Sequence, residues 1–338
     1  FGRSGEEVRD KAIKYLGKAA QKAQREYANE TALSYFEQAL SLEERWEWRR
    51  GQIEVLHILG RREDEERALN LLETLPDAPD YDIGYLWGQY YEAVGEYARA
   101  QEAVGRALDA SRQSEDRAGE ANSLAQLGLI ARRQGDYEGA KLSYQQALAA
   151  LQVTKSHSLQ ETQSLAQALN GLGIVHRQQG EFTEATACYQ HALELSQDIG
   201  NRKGESVALN SLGTVAHYQR DFSRAIDYYS RALQVARAIG DRSGGGTTLF
   251  NLAMGIKETG EYGQAEAYLT EALSIQQAVG NKWEEVNVLN GLGILYQELG
   301  NLHQAFERLS SGLSLSQQIG DEAGQAYLLA NLGLVARD

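Results

Sequence analysis

The feature that most constrains this chain is a repeat of fixed length. Residues 166–205 read AQALNGLGIVHRQQGEFTEATACYQHALELSQDIGNRKGE, and residues 206–245 read SVALNSLGTVAHYQRDFSRAIDYYSRALQVARAIGDRSGG. These two 40-residue segments align in register without a gap. A period of this length indicates one supersecondary unit repeated along the chain, so the fold follows from the structure of one unit.

Each unit predicts two amphipathic helices joined by a tight turn. Leu169, Leu172 and His176 follow spacings of three and four residues, which place them on one face of a helix. The turn begins at Gly180, because glycine adopts the left-handed conformation of a helix C-terminal cap at low cost. Ala185 and Tyr189 then share one face of a second helix. The unit is therefore predicted to be an antiparallel helix pair.

This order of Leu-Gly, Gly-Glu-aromatic, alanine, tyrosine and Ala-Leu resembles the tetratricopeptide repeat. The 40-residue length and the Ile-Gly-Asn/Asp-Arg endings at residues 199–202 and 239–242 resemble its longer-helix subclass, which occurs in scaffolds and in regulatory ATPases. The resemblance implies an all-α fold, a right-handed superhelical solenoid of about eight antiparallel helix pairs. It also implies protein or peptide binding rather than enzymatic activity.

The same signatures recur through most of the chain. The turn position recurs at intervals of 40, 45, 40, 40 and 40 residues, at Gly95, Gly135, Gly180, Arg220, Gly260 and Gly300. The Leu-Gly pair of the first helix recurs as Leu127-Gly128, Leu172-Gly173, Leu212-Gly213, Leu292-Gly293 and Leu332-Gly333. We attribute the longer interval to a polar loop between Val153 and Thr162.

The regular array does not extend over the whole sequence. Residues 1–75 predict irregular helical repeats, residues 76–80 a junction that contains both prolines, and residues 81–338 a regular array whose last unit is truncated. In the irregular part, Glu65 replaces the alanine that is expected in a second helix. The segment from Ile13 to Glu44 resembles the start of the helical-repeat region in STAND-type regulators, whose ATPase module lies upstream of the repeats.

Composition argues against several classes of protein. The formal net charge of −14 disfavours binding to nucleic acid or to an anionic membrane. The single cysteine, Cys188, excludes a disulfide framework and a cysteine-based zinc site. No apolar run approaches the roughly 20 residues of a membrane span, and no signal-peptide pattern is present, so we expect a cytoplasmic protein.

Enzyme signatures are absent from the sequence. The six histidines form no His-Glu-x-x-His motif, and there is no Gly-x-x-x-x-Gly-Lys-Ser/Thr loop, so we expect no metal and no cofactor. The glycines Gly244–Gly246 resemble a phosphate cradle at a helix start. They lie where successive units connect, however, without a preceding strand or a suitable lysine. A flexible joint is the favoured interpretation.

We expect a ligand to bind the first helices, which line the concave face in this family. Relative to the core residue Leu127 and its equivalents, the positions two before, one before and five after are predicted to project inward. Asparagines recur at the first two positions, namely Asn170, Asn210, Asn251, Asn290 and Asn331. Each amide donates and accepts hydrogen bonds, which suits the backbone of an extended peptide. Alternatively, these amides bond to neighbouring helix ends or to water.

The position five after the core leucine, with one adjacent arginine, predicts a basic strip. The strip comprises Arg132, Arg133, Arg177, His217 and Lys257. Guanidinium groups bind carboxylates bidentately, so the matching partner would carry an acidic segment. The alternative is a set of solvated charges offset by glutamates such as Glu258 and Glu298. Tyr85 and Phe250 also fall on inward positions and are candidate anchors for ligand side chains.

The sequence thus predicts a protein- or peptide-binding module. Its concave groove would serve as the ligand-sensing or scaffold region of a larger, STAND-like signalling regulator. A free-standing adaptor that recruits partner proteins is one alternative. A peptide-pheromone-type receptor is another, although no output domain is visible in this sequence.

Overall fold

The chain folds into helices throughout the part that the structure describes. The computed structural model describes residues 3–26, 28–151 and 158–337, and these ranges contain seventeen helices and no strand. The odd-numbered helices, called first helices below, are α1 (Arg3–Arg25), α3 (Trp46–Leu59), α5 (Asp80–Ala93), α7 (Arg117–Arg133), α9 (Leu159–Gln178), α11 (Arg202–Tyr218), α13 (Arg242–Lys257), α15 (Lys282–Glu298) and α17 (Glu322–Arg337). The second helices are α2 (Asn29–Leu42), α4 (Arg62–Glu73), α6 (Tyr97–Gln113), α8 (Tyr137–Leu151), α10 (Phe182–Asp198), α12 (Phe222–Ile239), α14 (Tyr262–Val279) and α16 (Leu302–Gln318).

The helices group into two compact units, Phe1–Gly204 and Glu205–Asp338. Within the units, helices that follow one another in the sequence pack together, as α7 does with α8 and α13 with α14. The predicted all-α solenoid of helix pairs is confirmed. The first unit buries apolar side chains such as Leu69 and Val104, and the second buries Leu249 and Leu269. Removing these apolar surfaces from water is the main favourable term in folding.

Two of the predicted boundaries lie close to helix ends. Helix α4 ends at Glu73 and α5 begins at Asp80, so both prolines of the predicted junction lie between helices. The division into residues 1–75, 76–80 and 81–338 stays a prediction. Residues 153–157 of the predicted polar loop lie outside the described residues, and Ser158 already caps α9 by accepting a hydrogen bond from the N–H of Glu161.

Left-handed backbone conformations close the turns within the helix pairs. The predicted turn glycines have φ values from +73° to +85°, at Gly95, Gly135, Gly180, Gly260 and Gly300. Arg220 occupies the sixth turn site and also has a positive φ, +61°. The left-handed conformation costs a residue with a Cβ atom roughly 1–2 kcal/mol. The turn between α11 and α12 is therefore strained where the equivalent turns are not.

The Gly-Asn/Asp-Arg endings mark the passage from one helix pair to the next. Gly240 ends α12 with a φ of +76°, and the carboxylate of Asp241 accepts a hydrogen bond of 2.9 Å from the N–H of Gly244. Asp321 caps α17 in the same way, at 2.9 Å. Such a cap satisfies one of the N–H groups that a helix start leaves unpaired.

The expectation that Gly244–Gly246 form a flexible joint is wrong. These glycines lie in the first turns of α13, and Gly245 and Gly246 are buried. A Cβ atom on Gly246 would lie 2.6 Å from Nε2 of the fully buried Gln276 on α14, whereas one on Gly245 would have its nearest neighbour at 3.9 Å. Gly246 therefore lets α13 and α14 pack closely, and the segment is a packed part of the helix.

At Gly173 and Gly213, the Leu-Gly pair of the first helices is explained by the ring that packs on its glycine. A Cβ atom on Gly173 would lie 2.6 Å from the ring of Tyr189, and one on Gly213 would lie 2.7 Å from the ring of Tyr229. Both tyrosines come from the second helix of the same pair and are buried. Because only glycine leaves space for the ring against the helix backbone, the motif records a close approach of the two helices.

Candidate ligand-binding surface of the first helices

In the first unit, the first helices line a cavity of about 230 Å³. Residues from α3, α5, α7 and α9 contribute to it, together with Tyr144 from α8. Four of the lining residues carry side-chain amides, namely Gln89, Asn122, Gln126 and Gln167. Among the described lining residues, Glu92 is the single carboxylate. The wall therefore combines apolar surface with several groups that both donate and accept hydrogen bonds.

Tyr85, predicted as an inward-facing anchor, lines this cavity. Its ring stacks on that of Tyr81, with ring centroids 5.5 Å apart and an interplanar angle of 21°. Gln89 hydrogen-bonds the Tyr85 hydroxyl, and Asn122 hydrogen-bonds the Tyr81 hydroxyl. Burial raises the pKa of Tyr85, so its hydroxyl is neutral at physiological pH. Tyr85, Gln89 and Asn122 therefore line one part of the cavity, and the ring of Tyr81 packs on Tyr85.

Gln126 is the most enclosed of the cavity amides. Its residue surface is 6% exposed, and its Oε1 atom has no hydrogen-bond partner among the described residues. The Nε2 atom lies against α5, where a Cβ atom on Gly88 would be 3.4 Å away. On another side of the cavity, a Cβ atom on Gly171 would overlap the ring of Tyr144. Gly171 thus lets this ring lie against α9 and form part of the cavity wall.

A buried carboxylate that contacts His57 explains the irregular second repeat. Glu65, where an alanine was expected, is fully buried. Its carboxylate lies 2.5 Å from Nη1 of Arg62 and 2.7 Å from Nδ1 of His57. A buried carboxylate is tolerated when it is paired and hydrogen-bonded. Glu65 therefore holds His57, which lines the cavity, in place.

The predicted basic strip is largely engaged within the protein in the first unit. Arg133 donates through Nε to Glu92, at 2.9 Å. Arg132 hydrogen-bonds the hydroxyl of Tyr144, and burial lowers the pKa of its guanidinium; its Nε atom is buried without a hydrogen-bond partner. Arg177 hydrogen-bonds the hydroxyl of Tyr189. Each guanidinium therefore already has a partner within this unit.

In the second unit, Lys257 does not present a free positive charge. The residue is 7% exposed, and its ammonium group lies 2.8 Å from the carboxylate of Glu258 and 2.7 Å from that of Glu298. The two glutamates therefore offset the charge of Lys257, as in the alternative interpretation of the basic strip. Burial lowers the pKa of His217, whose ring makes an edge contact with Phe222 at 5.4 Å between centroids. His217 is therefore neutral near pH 7.

The structure pairs four of the five predicted asparagines. Asn251 donates through Nδ2 to Oδ1 of Asn210 at 3.1 Å, and Asn331 donates to Asn290 at 2.7 Å. All four residues are partly exposed. Asn170, in the first unit, instead donates to the carbonyl of Ala166 in its own helix at 3.0 Å, and its Oδ1 is buried without a hydrogen-bond partner.

The ring of Phe250 makes a core contact rather than standing clear as a ligand anchor. It is partly buried and packs against the core of the second unit. A Cβ atom on Gly291 would lie 2.8 Å from the edge of this ring, so the glycine of the next first helix makes room for it. Phe250 and Gly291 occupy the same positions in their repeats as Asn210 and Asn251 do in theirs.

Several of these contacts join two residues that are 41 positions apart in the sequence, a spacing called the 41-residue rule below. The two asparagine pairs, the Phe250–Gly291 contact, Arg133 with Glu92 and Lys257 with Glu298 all have this separation. Each links neighbouring first helices within one unit. The sequence identified most of these residues and offered Glu298 as a partner for the basic strip, but it treated the asparagines and Phe250 singly, so their contacts were missed.

The cavity amides were not among the sequence-predicted site residues. Gln126 stands one position before Leu127, which is the position that holds Asn251 and Asn331 in their repeats. Considering the position one before the core leucine in every repeat would have identified Gln126 from the sequence. By the 41-residue rule its counterpart is Tyr85, whose hydroxyl is bonded to Gln89.

Two further features bear on the class of site. Among the described residues, no group of three or more His, Cys, Asp or Glu side chains is arranged to hold a metal ion. None of the described helices combines the length and apolar character that crossing a membrane requires.

Comparison with protein families identifies the repeat. A family model described as Tetratricopeptide repeat matches residues 83–152, 164–238, 206–278 and 246–318. A second model of the same description matches residues 125–199. No curated protein matches the sequence.

Solved structures share this fold at low sequence identity. A Rap protein in complex with competence and sporulation factor is 14% identical, with a TM-score of 0.60 over 96% of this chain and 97% of that chain. The STAND protein with a tetratricopeptide repeat sensor from Pyrococcus horikoshii is 17% identical, with a TM-score of 0.60 over 99% of this chain and 53% of that chain. This chain thus spans about half of that STAND protein.

A third structure, the Cut9–Hcn1 hetero-tetramer of the APC/C, is 17% identical, with a TM-score of 0.60 over 93% of this chain and 54% of that chain. At these identities the likeness shows the fold alone. The family-model matches, in contrast, extend over more than half of the sequence and fall on the repeats from α5 to α16. The chain therefore belongs to the tetratricopeptide repeat family.

Proposed function

We propose that this chain binds an extended peptide segment of a partner protein along its first helices. Tetratricopeptide repeats form protein-interaction modules, generally scaffolds rather than enzymes, and the chain shares that general function. The finer proposal of a peptide ligand depends on one observation, the hydrogen-bonded asparagine pairs between neighbouring first helices of the second unit.

Each asparagine pair retains hydrogen-bonding capacity that matches a peptide group. In the pair of Asn210 and Asn251, the mutual bond uses one N–H of Asn251 and the oxygen of Asn210. The amide group of Asn210 keeps its donors, and the amide group of Asn251 keeps its oxygen. A peptide group offers one N–H and one C=O. The pair can therefore bind the backbone of a ligand through both groups, whatever the ligand's side-chain sequence.

An acidic segment in the partner is a narrower form of this proposal. It has less support than the backbone contact, because Lys257 and Arg133 are paired with glutamates of the protein itself. A ligand held mainly by amide groups should bind with an affinity that changes little between low and high salt, since screening weakens charge pairs most. A steep loss of affinity with salt would favour the acidic ligand instead.

The test is selection of binders from a random peptide library, followed by fluorescence anisotropy with purified variants. We expect Asn290→Ala to weaken selected peptides roughly 2–10-fold, because a net hydrogen bond contributes about 0.5–1.5 kcal/mol. Asn287→Ala is the matched control, since Asn287 is exposed on the same helix α15. Equal losses in both variants would show that the pair does not contact the ligand. Failure to select any peptide would refute the proposal.

We further propose that the module is the sensor or scaffold region of a larger, STAND-like cytoplasmic regulator and acts by binding, without catalysis. The resemblance of the segment from Ile13 to Glu44 supports this setting, as does the shared fold with the STAND sensor. A free-standing adaptor is one alternative. A peptide receptor is the other, and the shared fold with the Rap protein supports it. Small-angle scattering with saturating peptide tests the sensor, which should change its scattering curve; an adaptor should not.

A further inference from the structure

The cavity between α5, α7 and α9 contains a buried acceptor that the protein itself does not satisfy. Gln126 is more than nine-tenths buried, lines the cavity, and leaves Oε1 without a hydrogen-bond partner among the described residues. Buried polar atoms nearly always have a partner, and an unpaired one is destabilising. An acceptor of this kind in a cavity wall therefore points to a ligand that supplies a donor.

The repeat explains why the Gln126 amide has no partner on the preceding first helix. In the second unit, Asn251 occupies the position equivalent to Gln126 and donates to the asparagine 41 residues before it. The residue 41 positions before Gln126 is Tyr85, which is held by its ring stacking on Tyr81 and by its bond to Gln89. Tyr85 and Gln126 thus do not form the contact that Asn210 and Asn251 form, and a cavity lies beside them instead.

Charge and size narrow the class of ligand. Glu92 is the single carboxylate among the described lining residues, and Arg133 neutralises it at 2.9 Å, so a cationic side chain gains little. A carboxylate would bring its lone pairs against the oxygen of Gln126, which is unfavourable. The volume of about 230 Å³ is below the range of about 300–1,000 Å³ that drug-sized ligands occupy, so it suits a single side chain.

We propose that this cavity is a subsite for the primary carboxamide of a glutamine or asparagine side chain. Oε1 has almost no accessible surface, so the Gln126 side chain would turn toward the cavity on binding. The carboxamide N–H would then donate to Oε1, and its oxygen would accept from the neighbouring amides of the wall. Tyr85 and Tyr144 supply flat faces against which the planar group packs. The inference rests on the proposed peptide function and adds a side-chain specificity that the asparagine pairs of the second unit do not provide.

The experiment uses small probes that carry the side chain without an extended peptide. N-acetyl-L-glutamine N-methylamide is titrated into the whole ¹⁵N-labelled chain by NMR, beside the corresponding glutamate and norleucine compounds. We expect the glutamine probe to bind with a dissociation constant on the order of 1 mM, as is reasonable for its size, and to shift the side-chain amide signals of Gln126. The other two probes should bind at least about tenfold more weakly, because a site built for a hydrogen bond rejects groups that cannot make it.

The variant Gln126→Met keeps the volume and removes the acceptor. It should fold, with unchanged circular dichroism, and lose at least about tenfold in affinity for the glutamine probe. Gln146→Met is the matched control, since Gln146 is exposed on α8, and it should bind as the wild type does. Equal affinity of Gln126→Met and wild type, equal binding of the glutamate probe, or no binding to the wild type would each overturn the subsite.

The two proposals fail separately. The probe carries one side chain and no extended backbone, so we expect its binding to be unchanged in Asn290→Ala. Probe binding without any selectable peptide would keep the subsite as a site for free carboxamides and refute the peptide function. Selected peptides that depend on Asn290 but show no preference for glutamine or asparagine would keep the peptide function and refute the subsite.

Discussion

Tyr229 is flanked by two glycines that should respond to the same substitution with opposite sign. Gly213 lies on α11 and Gly255 on α13, and the tyrosine ring from α12 packs between them. A Cβ atom on Gly213 would lie 2.7 Å from both Cδ1 and Cε1 of the ring. A Cβ atom on Gly255 would lie 3.9 Å from the ring and 3.5 Å from Ile226. The two sites share a ring and differ in the space that they offer.

The geometry sets the expected magnitudes. Carbon atoms attract best at about 3.5–4.0 Å, so the methyl group of Gly213→Ala would overlap a ring that is 2% exposed and cannot move into solvent. Such overpacking costs about 1–3 kcal/mol, against a gain of up to about 1 kcal/mol from the better helix propensity of alanine. We expect Gly213→Ala to lose about 1–2 kcal/mol of stability. Gly255→Ala meets ordinary contacts and should gain up to about 1 kcal/mol.

Urea unfolding followed by far-ultraviolet circular dichroism measures both effects. Repeat arrays do not always unfold in one step, so the comparison depends on two variants in adjacent helices of one unit rather than on an absolute free energy. The midpoint should fall for Gly213→Ala and stay equal or rise for Gly255→Ala. The packing account of the Leu-Gly motif is refuted if Gly213→Ala is as stable as the wild type or more stable.

Three other predictions probe separate features of the fold. Arg220→Gly should increase the free energy of unfolding by about 1 kcal/mol and so raise the urea midpoint, because it removes a side chain from a left-handed turn. Gly246→Ala should lower it by roughly 1–2 kcal/mol through overlap with Gln276, whereas Gly245→Ala should not, as the same assay will show. Burial lowers the pKa of His217, so the unfolded chain binds this proton more readily. Stability should therefore fall as pH drops below about 6.5, and His217→Phe should reduce that loss in pH-dependent unfolding.

The fold could be predicted from the sequence because its determinants are local and repeated. A glycine in a left-handed turn, an Asp or Asn cap and a leucine stripe each act within a few residues, and the fixed period confirms each assignment several times. The period even placed Arg220 at a turn without glycine, where it adopts a positive φ. The sequence predicted a flexible joint at Gly244–Gly246 because three consecutive glycines weaken a helix that has no packing partner. The buried Gln276, 30 residues further along the chain, explains the need for Gly246.

The candidate site was harder to predict because its properties depend on contacts between repeats. Lys257 has a clear inward position, and the sequence left open whether a ligand or glutamates such as Glu298 would take up its charge; the neighbouring helix shows Glu298 at 2.7 Å. Asn210 and Asn290 likewise have the predicted position, but their hydrogen bonds to the next first helix could not be inferred from one repeat. The position of a residue along a helix predicts the direction of its side chain. Which groups of that side chain remain available to a ligand depends on its contacts with the neighbouring helix.

Pairs of residues 41 positions apart are therefore the proper unit for interpreting this surface. Two asparagines give a bonded pair that retains one kind of donor and one acceptor, and Phe250 with Gly291 gives a closed apolar contact. Tyr85 with Gln126 gives neither, because the tyrosine hydroxyl is bonded elsewhere, and a cavity lies between α5 and α7. Under the proposed function, the asparagine pairs would bind a peptide backbone, and the interrupted pair of Tyr85 and Gln126 would select a side chain. Such an interruption depends on two residues, so a comparison of single positions across repeats cannot detect it.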